Sequence, residues 1–272
     1  MDDVHCPIGI FDSGIGGLSV LRHIHTHLPN EHLLYFADSA FAPYGGKPEE
    51  EIVARTLAIA DFLLQQGSKA LVVACNTATS ASINALRERY PELAVVGVEP
   101  GLKPAAALSK THIVGVLATE RTLASAKFAL LREQITTATS VQFLLQACIG
   151  LADQIEKGEL CSNATASLVR GYVAPLIEQG ADTLVLGCTH YPFVQQLIED
   201  IVQSMTDKKI DIIDTGAAVA RQLARCLAQQ GLTSTITTPG TLAAFSSGSA
   251  SSVETAFLNL LKIRLSVTSV RV

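Results

Sequence analysis

Two cysteines in this sequence occupy the same kind of place. Leu71-Val72-Val73-Ala74 is a short apolar run that reads as a buried strand, and it ends in Cys75-Asn76-Thr77, a thiol followed by helix-capping residue types. Thr183-Leu184-Val185-Leu186-Gly187 is a second such run, ending in Cys188-Thr189-His190 ahead of a helical pattern through Val194, Leu197, Ile198 and Ile201. A thiol titrates near neutrality, and a helix N-terminus lowers its pKa further. Two of them suit proton transfer at a carbon. One, as thiolate, removes a proton; the other, as thiol, returns one to the opposite face, and the stereocentre inverts. A buried cysteine is more often inert packing, but here the strand-to-helix turn and its repetition favour chemistry.

Each thiol needs partners. The strand Pro7 to Phe11 runs into Asp12-Ser13-Gly14-Ile15-Gly16-Gly17, so Asp12 and Ser13 project at a carboxyl end, where Asp12 is the candidate to tune or orient Cys75. His190, two residues past Cys188, is the candidate on the other side. Asn76, Thr77 and Thr189, with backbone N–H groups at helix N-termini, are placed to hold carboxylates. Thr119 offers a hydroxyl where the strand Ile113 to Leu117 meets its helix, and Tyr44, in the turn Pro43-Tyr44-Gly45-Gly46, can present its hydroxyl or its backbone. The glycine-rich turn lacks the GxGxxG spacing and any following GK[ST], so it reads as a tight turn that approaches a ligand with its backbone. His23, His25 and His27 spread around a helix and read as surface, not as metal ligands. No lysine arrangement suggests a pyridoxal site. Neither a cofactor nor a metal is expected.

The elements that must position these groups repeat. Ile8-Gly9-Ile10-Phe11-Asp12-Ser13 matches Val114-Gly115-Val116-Leu117-Ala118-Thr119 at an offset of 106 residues, and the two cysteines lie 113 apart. Two matches at nearly equal offset predict a duplicated α/β unit that supplies one thiol per copy. Strands are expected at Leu33 to Ala37, Val95 to Val98, Val141 to Leu145 and Ile210 to Ile213, alternating with helices that include one opened by Pro48 and Glu49-Glu50-Glu51. With 48% hydrophobic and 17% charged residues the chain reads as a soluble globular protein. A net charge of −5 without basic runs argues against nucleic acid. The start, Met1-Asp2-Asp3, lacks a signal peptide's basic and apolar regions, and no apolar stretch of ~18 residues is present, so neither secretion nor membrane is expected. Six cysteines without a CxxC read as free cytosolic thiols.

The chain closely resembles the glutamate racemases of the cofactor-independent aspartate/glutamate racemase superfamily. The resemblance rests on Gly9-Ile10-Phe11-Asp12-Ser13-Gly14-Ile15-Gly16-Gly17, Pro43-Tyr44-Gly45, Ala74-Cys75-Asn76-Thr77-Ala78, Gly187-Cys188-Thr189-His190-Tyr191-Pro192 and Asp214-Thr215-Gly216, which span nearly the whole chain in order. It implies an isomerase that interconverts L- and D-glutamate in the cytoplasm and supplies D-glutamate for peptidoglycan, hence for cell-wall biogenesis and cell shape. It implies Cys75 and Cys188 as acid–base thiols and Asp12 and His190 as their helpers. Asp12, Ser13, Tyr44, Gly45, Asn76, Thr77, Thr189 and His190 would line the glutamate site. It further implies a homodimer of chains built from two pseudo-symmetric three-layer α/β domains with largely parallel sheets, facing each other across an active-site cleft. The first would comprise 1–98 with 210–272 and carry Cys75; the second, 99–209, would carry Cys188.

One departure is visible: where many relatives read Ala-Cys-Pro and then Val-Pro-Leu-Val-Glu, this chain keeps the acid at Glu156 but neither proline. The short stretch before Phe11 leaves little room for the N-terminal extension of relatives that need a cell-wall nucleotide activator, so no such dependence is expected. The alternatives are a racemase of aspartate or a related amino acid, a catalytically inactive small-molecule binding protein on the same scaffold, and a Cys/His metal hydrolase, which would need further ligands near Cys188.

Overall fold

The computed structural model describes residues 3–272, so Met1 and Asp2 of the acidic start lie outside the described residues. The chain forms two compact units, one of residues up to Val98 together with Gly216–Val272, the other Glu99–Thr215. The first begins β1 (Ile8–Asp12), α1 (Leu18–His27), β2 (Leu33–Ala37), α2 (Glu49–Gln65), β3 (Ala70–Val73), α3 (Asn76–Arg89), β4 (Ala94–Gly97). The second runs α4 (Leu102–Leu108), β5 (Ile113–Ala118), α5 (Glu120–Ala124), α6 (Ala126–Thr139), β6 (Gln142–Ala147), α7 (Leu151–Glu156), α8 (Asn163–Glu178), β7 (Thr183–Gly187), α9 (Gln195–Gln203), β8 (Asp211–Ile213). The chain then completes the first unit with α10 (Gly216–Gln229), β9 (Leu242–Ser246), α11 (Ala250–Ala256) and β10 (Val267–Ser269).

Both sheets are parallel in every pairing. Parallel strands need helical crossovers, which cover both faces and leave continuous apolar strands; β1, β3 and β7 are buried at every position. In the first unit α2 packs on α3 and α1 on α10; in the second α8 packs on α9 and α4 on α6. Each unit is therefore helix–sheet–helix.

The duplication extends to the packing. The sheet orders are β10-β9-β2-β1-β3-β4 and β6-β5-β7-β8, so β2-β1-β3-β4 and β6-β5-β7-β8 share one topology. Gly9 pairs with Leu71 and Gly115 with Leu184. A Cβ on Gly9 would lie 2.9 Å from Leu71 and 3.2 Å from Leu63; one on Gly115 would lie 2.7 Å from Leu184 and 2.8 Å from Leu176. The helices before each cysteine strand end alike. Gly67 (φ 86°) and Gly180 (φ 92°) adopt the left-handed conformation, and the next residue's N–H returns to Leu63 O or Leu176 O, the C-terminal motif that glycine permits at no steric cost.

The chain returns to the first unit at Gly216, not at the expected residue 210. Asp211–Ile213 pairs with Thr183–Val185 and so closes the second sheet; strand allegiance is a long-range pairing that an apolar run cannot specify. His23 is also not simply surface. Its ring occupies the space above Gly216, where a Cβ would meet it at 2.4 Å, which accounts for glycine at the start of α10.

Gly115→Ala should overpack the β5–α8 contact and cost about 1–3 kcal/mol, lowering the thermal midpoint by several degrees. Gly171→Ala, in the middle of α8 with open space around it, should gain ~0.5–1 kcal/mol. Circular-dichroism melts check both, and an unchanged midpoint for Gly115→Ala would contradict the packing described.

Candidate active site

In a sheet of this order the chain leaves β1 (or β5) to one side for its next strand and crosses back to the other for the third. Ligands bind outside the carboxyl ends of the strands at that switch point. There the first unit places Asp12 and Ser13 after β1 and Cys75 after β3; the second places Thr119 after β5 and Cys188 after β7.

Cys75 is itself the N-cap of α3. Its backbone is extended (φ −134°, ψ 120°), and Sγ accepts the Ala78 N–H at 3.5 Å. Asn76 and Thr77, expected as the capping residues, lie inside the first helical turn. The Cys75 thiol donates to Ser13 Oγ at 3.6 Å, and Ser13 donates to Asp12 Oδ1 at 3.5 Å. Asp12, fully buried, accepts the Gly17 N–H on Oδ2 at 2.6 Å. A Cβ on Gly17 would stand 2.6 Å from that of Asp12, so glycine at this position lets its N–H reach the carboxylate. Asn76 Nδ2 is buried without a hydrogen-bond partner among the described residues, an orphan donor one residue from the thiol. Burying such a group costs about 1–3 kcal/mol unless something accepts from it.

Tyr44 and Gly45 lie in a short 3₁₀ turn, and Tyr44 packs in the same apolar cluster as Cys75. The Tyr44 hydroxyl donates to Asp38 Oδ2 at 2.6 Å. Burial above all, then the Asp38 carboxylate and the charge on Cys75, push this phenol far above its usual range. The hydroxyl is committed. What this turn has left to offer a ligand is backbone.

The second thiol is served differently. The expected helix N-terminus behind Cys188 is absent: a 3₁₀ turn, Tyr191–Val194, follows, and α9 begins only at Gln195. Pro192 sits in that turn, and the dipole of so short an element is small. Instead Cys188 Sγ lies 3.6 Å from His190 Nδ1, and His190 Nε2 lies 2.7 Å from Glu156 Oε1. Burial lowers the imidazole pKa, but the hydrogen bonds and charges of Cys188 and Glu156 outweigh it and hold His190 well above its usual value. Thr189 is buried beside them. Thr119 caps α5, accepting the Thr122 N–H at 3.2 Å. Cys148, in the same core cluster as Cys188 and Tyr191, has its thiol pushed far up by burial, with Cys188 adding to the rise and Tyr191 opposing it. It stays a neutral thiol.

Glu156 is the residue sequence reasoning left without a role. The acid is visible at the end of a helical stretch, but its partner lies 34 residues on, across a contact no local pattern marks. Among the described residues no group of three or more His, Cys, Asp or Glu side chains is placed to hold a metal ion, and no helix is long and apolar enough to cross a membrane.

An α/β switch-point site built on thiols is one that several proton-transfer enzymes could share, and sequence comparison narrows it. The family model described as Asp/Glu/hydantoin racemase matches residues 8–223, and the chain belongs to that family. Within it the glutamate racemase of Ectopseudomonas mendocina is 54% identical over 86% of this chain and 87% of its own length. The crystal structure of the Thermus thermophilus glutamate racemase in complex with β-chloro-D-alanine superposes with a TM-score of 0.83 at 32% identity, covering 99% of this chain and 98% of that one. The Escherichia coli glutamate racemase, solved with L-glutamate and the activator UDP-MurNAc-Ala, gives 0.82 at 30% identity over 97% and 98%.

Glu156→Gln removes one of the charges that hold the His190 proton. A group whose pKa is raised keeps its charge-dependent contacts below that pKa and loses them as pH rises through it. The imidazole of the variant should therefore deprotonate at lower pH than in the wild type. Titration of the His190 ring signals by NMR checks this, and an unmoved titration would contradict the contact.

Proposed function

We propose that this chain interconverts L- and D-glutamate without a cofactor, with Cys75 and Cys188 as its two acid–base groups. The observation that carries the reading is the pair of thiols at equivalent switch points, each with its own hydrogen-bonded partners. The 54% identity to a glutamate racemase over most of the chain supports glutamate as substrate.

The proposed reaction is balanced by the thiols alone. One thiolate takes the Cα proton, and the C–H electron pair delocalises into the α-carboxylate. The other thiol delivers a proton to the opposite face, so that the first sulfur ends as thiol and the second as thiolate; the reverse direction exchanges their roles. Charge building on the carboxylate needs donors fixed in advance. The Asn76 amide and the backbone N–H groups of Asn76, Thr77 and Thr189 are proposed for this, whereas the Tyr44 and Gly45 N–H groups are proposed to hold the side-chain carboxylate, whose charge does not change during the reaction. His190, held protonated beside Glu156, gives Cys188 a charged hydrogen-bond partner. Ser13 and Asp12 form the proton-accepting line from Cys75. Thr119 adds a hydroxyl at the Cys188 switch point. Cys148, neutral, does not compete as a base.

The proposed role is supply of D-glutamate for peptidoglycan in the cytoplasm, in keeping with six cysteines all free. The working form is proposed to be a homodimer, which light scattering of the purified protein tests.

Circular dichroism of L-glutamate and, separately, D-glutamate should decay to zero with added protein and no cofactor. Cys75→Ala and Cys188→Ala should each slow that decay by about 10³-fold or more. Full turnover by either variant would remove the two-thiol mechanism.

A further inference from the structure

Resting on the glutamate reading, the residues around Asp38 extend the site inward. Asp38 is fully buried at the end of β2, where the loop carrying Tyr44 and Gly45 begins. It accepts three hydrogen bonds: Tyr44 Oη at 2.6 Å and Arg55 Nε at 2.8 Å on Oδ2, and Arg55 Nη2 at 2.7 Å on Oδ1. Arg55 comes from α2 and is itself buried. Its guanidinium carbon lies 4.0 Å from the centre of the Phe41 ring, which belongs to the same loop. Its remaining arm, Nη1, donates to the backbone carbonyl of Val272, and that tail is held to β9 by the Val270 N–H on Ser246 O. One planar cation thus grips the loop at its first residue, its middle and, through Asp38, at Tyr44. A helix and the tail hold that cation in turn.

We propose that Arg55, acting through Asp38, is a positioning residue that fixes loop 38–47 so that the Tyr44–Gly45 backbone is presented to the substrate. The role needs the fork and not the charge alone. A lysine ammonium cannot meet both carboxylate oxygens, stack on Phe41 and reach Val272 together. The loop contributes binding that is the same in the ground state and the transition state, so its loss appears in KM and not in kcat.

The test uses the full chain with Arg55→Lys, Arg55→Met and the double variant Asp38→Asn/Arg55→Met. The double variant removes both buried charges, so it regains the melting midpoint lost by Arg55→Met alone. In all three, KM for both enantiomers should rise about tenfold or more with kcat within about threefold of wild type. Amide exchange over 38–47 should quicken while β3 stays protected. Wild-type KM in any of the three, or recovery of KM in the double variant, would overturn the proposal, because the effect would then belong to an unpaired charge. Exchange that quickens equally through β3 would overturn it too. A flat wild-type racemisation trace sinks the reaction, whereas unaltered loop exchange in Arg55→Met sinks the tie; the two failures are distinguishable.

Discussion

Everything in each unit follows from a parallel sheet whose third strand lies on the opposite side of the first from the second. Parallel pairing aligns all carboxyl ends on one edge, and the reversal of order parts the helices there. In this chain that point falls between β1 and β3 and again between β5 and β7. The strands β1 and β7 are buried on both faces, and Gly9 and Gly115 let the helices α2 and α8 approach within side-chain contact of the sheet. The thiols are placed by the core. A residue at a strand's end inherits the rigidity of the strand, which suits a group that must meet a carbon atom to within a fraction of an ångström.

The same topology carries two different ways of serving a thiol. Cys75 caps a helix of fourteen residues and donates toward a hydroxyl that leads to a buried carboxylate. Cys188 precedes only a short turn, and an imidazole and a carboxylate stand where a helix dipole would. The proposed mechanism runs in both directions, so in it each sulfur has to be stable with and without its proton. The two units surround their thiols with different chemistry, one with a helix terminus and a hydroxyl that leads to a carboxylate, the other with an imidazole–carboxylate pair.

Much of this is legible in the chain. Apolar runs that end in a thiol and a polar pair mark β3 and β7, and a repeat offset of 113 residues links Leu63, Leu71 and Cys75 to Leu176, Leu184 and Cys188. Local chemistry reaches as far as the strand ends and the turns. It does not reach Asp211–Ile213, whose sheet is decided by a partner strand nearly thirty residues away. Nor does it reach Val267–Ser269, three residues that become a strand only by pairing with β9. Within the site the same limit applies. Tyr44 reads equally as hydroxyl or backbone until Asp38 takes the hydroxyl, and Glu156 has no partner until α7 lies against the turn that follows Cys188. Residues that act through their own backbone turn are visible in sequence; residues that act through a long-range hydrogen bond are not.

The central claim is that two separate thiols handle the proton, one on each face. Incubating the protein with D-glutamate in D₂O and following the α-proton by NMR, with the enantiomers separated at early times, tests it most directly. With two bases, the L-glutamate formed carries deuterium while the D-glutamate still present keeps its protium. Early loss of the α-proton from the remaining D-glutamate, or L-glutamate that retains protium, would mean that one group serves both faces and would contradict the account.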